Sequence, residues 1–170
     1  EGLVAKGSSM LFADDGSADA TWRLISAAHA VCPERVKAVK LAGNRGKEYA
    51  MWAGVMEARV HADVVVTMDA DLQDPPSLIP QMLEFWEQGY EDVYAKRSNR
   101  GKESWLRKQF SLLFYRILDY STRFDVLQNV GDFRLLDRKC IEALKELRES
   151  ERYTKGMFCW IGFKKKEIVF

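Results

Sequence analysis

The sequence predicts an α/β domain in which helices cover both faces of a mostly parallel sheet. Strand and helix signals alternate along residues 10–95, and repeated strand–helix units of this length are typical of parallel strands. The strand signal at residues 63–68 is continuously apolar, as in strands that are buried on both faces. With 170 residues, 47% of them hydrophobic, the chain is large enough to build one domain with a core.

The elements follow one another with clear start and stop signals. Strands are predicted at 10–13, 36–41, 63–68 and 92–95, and the final stretch KKKEIVF also resembles a strand. Helices are predicted at 18–31, closed by Pro33, at 45–60, and from Asp74-Pro75-Pro76 to Gln88. In the last of these we expect Asp74 to cap the helix, proline to occupy its first turn and Gly89 to end it.

Aspartates stand at the carboxyl ends of two predicted strands, which is the edge where open parallel sheets bind ligands. Asp14 and Asp15 follow the first strand, and the stretch from Asp69 to Asp74 follows the third. Asp69 and Asp71 form an Asp-x-Asp pair, and Mg²⁺ and Mn²⁺ bind carboxylate oxygens and share them with substrate phosphates. A turn with capping aspartates is the alternative. It suits Asp74 better than the pair that directly follows the apolar strand.

Composition and a failed motif exclude several other classes. The chain has 26 Lys and Arg against 25 Asp and Glu, so charge predicts no nucleic-acid partner. Its 3 cysteines show no Cys-x-x-Cys spacing, which favours a reducing compartment over a disulfide framework or a zinc site. Leu41 and Glu48 stand where a P-loop needs Gly and Ser or Thr. Lys47 therefore remains either a ligand of a phosphate or lipid headgroup or a solvated lysine.

Five stretches together carry a resemblance to a known family. They are FADDGSADAT, GNRGKEYAMWAGVMEA, DADLQDPPSLIPQML, NVGDFRLLDR and RYTKGMFCWIGF, and their order and spacing resemble those of family-two glycosyltransferases. The chain is most similar to the branch that loads sugars onto polyprenyl phosphate, which includes bactoprenol glucosyltransferases and, more distantly, dolichol-phosphate mannose synthases. The resemblance implies a GT-A-type, Rossmann-like fold. It also implies metal-dependent, inverting hexosyl transfer, with Mg²⁺ or Mn²⁺ as cofactor.

The resemblance assigns donor-binding roles to individual residues. Asp14 and Asp15 match the acidic pair that contacts the base and ribose of a nucleotide sugar. The metal ligands implied are Asp69, Asp71 and Gln73. Arg97 matches a basic position that faces phosphate, and Lys47 is a further candidate there. A UDP-sugar carrying glucose or a related hexose is the favoured donor, with GDP-mannose as the alternative.

Acceptor-side roles follow in the same way. Asp132 and Arg134 match the segment near the acceptor and the anomeric carbon, so with Asp71 they are the catalytic candidates. Arg152 and Lys155 match a loop that closes over the site and faces the acceptor phosphate. Solvated surface side chains are an equally good interpretation of these last two residues.

A membrane surface is a further predicted partner. The basic stretch KRSNRGK precedes ESWLRKQFSLLFYRILDYS, in which six apolar side chains share one helix face: Leu106, Phe110, Leu113, Phe114, Ile117 and Leu118. This composition is typical of a helix that lies beside anionic headgroups, although an amphipathic helix that covers the sheet is the alternative. The resemblance implies that the full-length protein works on the cytoplasmic side of the cell membrane, in cell wall or surface polysaccharide synthesis.

Residues 1–170 are interpreted as a catalytic domain without its first strand and without C-terminal membrane helices. Family members begin with a strand and turn that nothing before Met10 resembles. Members of this branch also carry membrane helices after the catalytic domain. The oligomeric state is open, and a homo-oligomer is compatible with the sequence.

Two other functions stay open. A family-two enzyme that acts on a polysaccharide or protein acceptor would need a carboxylate base, commonly in a Glu-Asp motif, where this chain has Gly131-Asp132-Phe133-Arg134. A non-catalytic sugar-nucleotide-binding fragment would be expected to lose the Asp-x-Asp pair, which is intact here. The first observation favours transfer to polyprenyl phosphate, and the second argues against a non-catalytic fragment.

Overall fold

The computed structural model describes residues 7–98, 130–146 and 162–170. Within these ranges the chain forms six strands and four α-helices, and the predicted α/β class is confirmed. The chain divides into two compact units, Glu1–Thr67 and Met68–Phe170, called the first and second unit below.

The first unit alternates strands and helices, as its sequence pattern predicts. Its elements are β1 (Met10–Asp14), α1 (Thr21–Val31), β2 (Val36–Lys40), α2 (Lys47–Ala58) and β3 (Val64–Thr67). Strands β1 and β2 pair in parallel, with Met10 opposite Val36 and Asp14 opposite Lys40. This pairing requires the crossover that α1 provides.

Helices cover both faces of the β1–β2 pair. Gly54 of α2 lies so close to β1 that an added Cβ would come within 3.1 Å of the Ala13 Cβ and 3.4 Å of the Leu11 Cδ2. On α1, the Trp22 ring centroid lies 5.4 Å from the Lys40 Nζ. Because side chains alternate along strands and the register is parallel, Lys40 points to the face opposite Leu11 and Ala13. The predicted covering of both faces is therefore found in this unit.

The second unit is built on three strands with β4 (Asp92–Lys96) in the middle. Strand β5 (Val130–Asp137) pairs antiparallel on one side of β4, and β6 (Lys165–Val169) pairs parallel on the other. A 3₁₀ turn, Pro76–Leu78, leads into α3 (Ile79–Glu87), and α4 is Arg138–Glu146. The buried apolar side chains are Met82, Val93, Tyr94, Ala95, Phe133, Leu135, Leu136, Cys140, Ile141, Leu144 and Ile168.

Several element boundaries differ from the sequence prediction. Helix α1 begins three residues later than expected, with Ala20 at its N-cap position and no side chain capping it. An Asp19 carboxylate oxygen accepts a hydrogen bond from the Thr21 N–H at 2.9 Å, as in an Asx turn that leads into the helix. Helix α2 is shorter at both ends. Strand β3 was expected to be buried on both faces, yet Val64 to Val66 are half-buried and only Thr67 is buried. An apolar run does not by itself distinguish these two environments.

The predicted cap at Asp74 is wrong. The helical segment after the prolines begins as a 3₁₀ turn whose N-cap position is Pro75, and no side chain caps it. The α-helix proper starts only at Ile79. The Asp74 carboxylate is instead bonded to other groups, described below.

The structure leaves the membrane-surface prediction untested. No helix among the described residues is long and apolar enough to cross a membrane. The amphipathic stretch at 103–121, Arg152 and Lys155 lie outside the described residues.

Candidate active site

Asp14 ends β1 with a buried carboxylate that shapes the following turn. Its Oδ2 accepts a hydrogen bond from the Ser17 N–H at 3.2 Å, and the Ser17 hydroxyl donates to Oδ1 of the same carboxylate. The Lys40 Nζ, at the end of the neighbouring strand, lies 3.8 Å from Oδ2. Asp14 therefore joins the ends of both strands to the turn that follows β1.

Asp15 connects that turn to the loop that precedes α2. Its Oδ1 accepts a hydrogen bond from the Arg45 N–H at 2.7 Å, and its Oδ2 accepts one from the Gly46 N–H at 2.8 Å. Each oxygen keeps lone-pair capacity for a further donor. Lys47, the next residue after this loop, opens α2 and is exposed.

A glycine is required beside Asp15. Gly16 has φ +68°, in the left-handed region, and an added Cβ would lie 2.6 Å from the Gly43 carbonyl carbon. The backbones of the two loops thus approach each other more closely than any side chain at residue 16 would permit. The sequence placed Asp14 and Asp15 at a ligand edge, and the structure shows that their carboxylates organise the loops of that edge.

The Asp-x-Asp pair lies in a tight loop of the second unit, residues 69–74, called the Asp-x-Asp loop below. The Asp71 Oδ1 accepts a hydrogen bond from the Gln73 N–H at 3.0 Å, as in an Asx turn. Leu72 between them has φ +62° and is 91% exposed. A leucine in this region is uncommon, and such conformations cost on the order of 1–3 kcal/mol. The loop is therefore tightly turned at the position where two of the predicted ligands stand.

Asp74 and Arg97 brace this loop. The Asp74 carboxylate is nearly buried, and its Oδ2 accepts a hydrogen bond from the Asp69 N–H at 3.2 Å. Its Oδ1 accepts one from Arg97 Nη2 at 3.1 Å, while Arg97 Nη1 donates to the Gln73 Oε1 at 2.7 Å. These bonds bring together three of the predicted site residues: Asp69, Gln73 and Arg97. The residue that connects them, Asp74, was predicted to be a helix cap and not part of the site. No sequence signal pairs residue 74 with residue 97.

The side chains of this loop carry oxygen donors of the type that binds a divalent cation. Within the described ranges no group of three or more His, Cys, Asp or Glu side chains is arranged to hold a metal ion. Mg²⁺ commonly takes one or two protein carboxylates and completes its shell with water and substrate phosphates. Asp69 and Asp71 supply two carboxylates, and the Gln73 amide oxygen keeps one lone pair beside its bond from Arg97. This donor set suits a shared cation rather than an all-protein cage.

Arg134 lies in the core of the second unit. It is 1% exposed, its Nη1 is 3.3 Å from the Asp92 Oδ2, and its guanidinium carbon is 5.7 Å from the Tyr94 ring centroid. Burial raises the pKa of the Asp92 carboxyl, and the Arg134 charge opposes that rise. Asp132 is half-buried two residues earlier, on the same face of β5. Sequence reasoning missed Asp92, although a carboxylate that opens an apolar strand is a detectable signal.

Comparison with known proteins adds independent findings. A family model described as "Glycosyl transferase family 2" matches residues 7–145. An uncharacterized glycosyltransferase, YkcC of Bacillus subtilis, is 40% identical over 161 residues, which is 95% of this chain and 49% of the relative. The putative glycosyltransferase CsbB of the same organism is 41% identical over 161 residues, or 95% of this chain and 47% of the relative.

A relative with a more specific name is the bactoprenol glucosyl transferase of Shigella phage SfV. It is 38% identical over 153 residues, which cover 90% of this chain and 49% of the relative. The chain thus spans about half the length of the curated relatives that it matches.

Proposed function

The chain belongs to glycosyl transferase family 2, and from this premise we propose that it transfers glucose or a related hexose to polyprenyl phosphate with inversion at the anomeric carbon. The observation that carries the proposal is the 38% identity to a bactoprenol glucosyl transferase over 90% of this chain. A nucleotide diphosphate sugar is the donor, with UDP favoured and GDP-mannose as the alternative. The reaction takes place at the cytoplasmic face of the cell membrane, in the full-length protein.

The donor's base and ribose are assigned to Asp14 and Asp15. Their support is that both carboxylates hold loops at the end of β1 and that the Asp15 oxygens keep capacity to accept from a ligand. Lys47 is assigned to phosphate because it is exposed directly after the loop that Asp15 holds.

The diphosphate is assigned to the Asp-x-Asp loop. Asp69, Asp71 and Gln73 would hold Mg²⁺ or Mn²⁺, which when bound supplies positive charge that stabilises the leaving nucleoside diphosphate. The Arg97 side chain is 41% exposed, and the guanidinium N–H groups that do not bind Asp74 or Gln73 are assigned to phosphate oxygens.

The acceptor needs no general base. A phosphate monoester has its second pKa near 6, so at pH 7 most of it is already a dianionic nucleophile. Asp132 would therefore orient basic side chains or stabilise positive charge at the anomeric carbon, without removing a proton. Arg152 and Lys155 are assigned to the acceptor phosphate. Attack from the face opposite the leaving group gives inversion.

The proposal is tested by asking where a radiolabelled sugar goes. Protein of native length is incubated with membranes and one nucleotide sugar in each reaction. The donors are UDP-glucose, UDP-galactose, UDP-N-acetylglucosamine and GDP-mannose, each labelled in the sugar. We expect label from one UDP-hexose to enter the lipid phase. Label that enters only polymer or protein would instead support the polysaccharide or protein acceptor.

Replacement of Asp71 by Asn tests the loop directly. We expect loss of transfer with an unchanged melting temperature, because the exposed Asp71 side chain contributes to ligand binding and not to the core. Glu87→Gln, an equally conservative change on exposed α3 surface, is the matched control and should keep full activity. Full activity of the Asp71 variant in Mg²⁺ or Mn²⁺ would remove the main support for the assignment.

Asp132→Asn separates the two acceptor classes. With polyprenyl phosphate saturating, we expect the variant to slow transfer without changing the shape of the kcat–pH profile. A general base typically contributes about 10²–10⁴-fold in rate and introduces its own pKa limb. A wild-type limb distinct from that of the phosphate, lost in the variant, would show that Asp132 is a base and contradict the lipid-phosphate assignment.

A further inference from the structure

We propose that Asp74 and Arg97 are positioning residues that hold the Asp-x-Asp loop in its cation-binding conformation. The inference rests on the proposed function, because the cation is part of that proposal. It assigns to Asp74 a role that neither its sequence context nor the comparisons indicate. It also gives Arg97 a task beyond contact with phosphate.

The first step is the connectivity of the Asp74 carboxylate. Its Oδ2 binds the Asp69 N–H at the start of the loop, and its Oδ1 binds Arg97 at the end of β4. Asp74 is 6% exposed and the Arg97 side chain 41% exposed, so both bonds are partly buried. The backbone position of Asp69 is thus tied to a strand of the sheet through one buried carboxylate.

The second step is the fork of Arg97. One nitrogen of its guanidinium binds Asp74 and the other binds the Gln73 side chain, so two adjacent loop residues are held by one rigid planar group. A lysine would keep the positive charge, but its ammonium is a compact point charge without this fork. Arg97→Lys therefore removes the fork geometry of the guanidinium while it keeps the positive charge.

The third step is that the loop needs such support. Leu72 has a positive φ and an almost fully exposed side chain, so packing of that side chain does little to maintain its conformation. Asp71 and Gln73 are exposed as well. The brace formed by Asp74 and Arg97 holds the segment on both sides of Asp71. Outer contacts of this kind orient metal ligands, and their loss typically weakens metal binding about 10–100-fold.

The test is Mn²⁺ binding measured from the free Mn²⁺ signal in electron paramagnetic resonance, with protein of native length and no nucleotide. We expect Asp74→Asn and Arg97→Lys each to raise the Mn²⁺ Kd at least about 10-fold. The Mn²⁺ Kd of the double variant should be only slightly higher than that of either single variant, because both substitutions break the same hydrogen-bonded brace. Glu87→Gln and Arg23→Lys, matched changes at exposed positions of α3 and α1, should bind as wild type.

An activity arm separates positioning from direct phosphate contact. With the donor found in the labelling assay, positioning predicts that the variants need more metal for half-maximal activity and regain most of kcat at saturating metal. A phosphate contact alone predicts a raised KM for the nucleotide sugar that saturating metal does not correct. Melting temperatures close to wild type would show that the fold is retained.

The inference is overturned if wild type binds Mn²⁺, Asp71→Asn weakens that binding, and the Asp74 and Arg97 variants bind normally. Wild-type protein without Mn²⁺ affinity would also overturn it. Failure of the proposed function gives a different result. No labelled sugar reaches lipid, while wild type still binds Mn²⁺ and the Asp71, Asp74 and Arg97 variants still bind it more weakly. That result would remove the assigned reaction and leave the positioning role supported.

Discussion

The two units hold their loops by different means. Among the described residues of the first unit, the buried apolar side chains are those of Ala50 and Val55, and every other buried apolar side chain belongs to the second. The first unit holds its loops mainly by carboxylates that accept backbone N–H groups, as Asp15 does. Both units contain ion pairs, but the pair between Arg134 and Asp92 in the second unit is fully buried, whereas Lys40 of the first-unit pair is partly exposed.

Because of this difference in buried apolar side chains, we expect the two units to contribute differently to the free energy of unfolding and to the geometry of the site. Full burial of a large apolar side chain contributes about 1.5–3 kcal/mol, so the packing energy resides mainly in the second unit. Polar contacts at partly exposed loops contribute less free energy but determine where backbone groups lie. We therefore expect substitutions in the second unit to change unfolding most, and substitutions in the first unit to change ligand binding more than unfolding.

The largest effect is expected at the buried ion pair. Asp92→Ala should lower the free energy of unfolding by about 3–5 kcal/mol, because it leaves the Arg134 guanidinium buried without this carboxylate. The matched pair in the first unit is Lys40 with Asp14, where the lysine side chain is 34% exposed. Lys40→Ala should cost less, because the Asp14 carboxylate that is left behind keeps its hydrogen bonds from the Ser17 N–H and hydroxyl. Denaturant unfolding of both variants measures the contrast, and equal losses would contradict it.

A core truncation gives the next largest effect. Leu135 is 0% exposed, and Leu135→Ala should cost about 2–5 kcal/mol through lost burial and the cavity left behind. Leu24 in α1 is 63% exposed, and the same change there should alter stability by no more than about 0.5 kcal/mol. Chemical unfolding reports both values. A comparable loss in Leu24→Ala would mean that the first unit depends on packing as strongly as the second.

A backbone substitution addresses the loops of the first unit. Gly16→Ala should cost about 1–3 kcal/mol, since φ +68° and the 2.6 Å approach to Gly43 both oppose a Cβ. It should also weaken binding of the nucleotide donor, because Asp15 and its loop would shift. Gly43→Ala is the matched control: nothing lies within 4 Å of its added Cβ. Calorimetric titration with the nucleotide would compare the two, and equal affinities would contradict the role of the close approach.

The smallest effect is a pH dependence in the second unit. Burial raises the pKa of the Cys140 thiol to about 12, and its sulfur lies 3.2 Å from the Glu91 carbonyl oxygen. The folded state therefore favours the protonated thiol. This contribution is complete below the ordinary thiol pKa and falls by about 1.4 kcal/mol per pH unit as pH rises from roughly 9 towards 12.

Cys140→Ala should remove that slope between pH 9 and pH 10, measured by denaturant unfolding at both values. Alkylation followed by peptide mass spectrometry offers a check against the first unit. Cys32 is half-buried and should be modified before the fully buried Cys140. Faster modification of Cys140 would contradict both its burial and its raised pKa.

Prediction from the sequence succeeded where the signal is local. The strand β4, the stop at Gly89 and the parallel β1–α1–β2 unit follow from apolar runs and turn residues, which depend on neighbours along the chain. Helix α1 begins at Thr21, three residues later than predicted, after a turn in which Asp19 accepts a hydrogen bond from the Thr21 N–H. Such boundaries depend on single hydrogen bonds that a pattern does not resolve.

The sequence by itself determined the order and type of the elements up to β4 and placed carboxylates at strand ends, because periodicity and turn chemistry act over a few residues. It predicted neither the antiparallel strand β5 nor helix α4. Only the tertiary structure decided which partner each charged group has. Asp74 binds Arg97, 23 residues away, where a helix cap was predicted, and Arg134 lies beside Asp92, 42 residues away, inside the core. Hydrogen bonds and ion pairs depend on distance in space, which folding sets and local sequence does not encode.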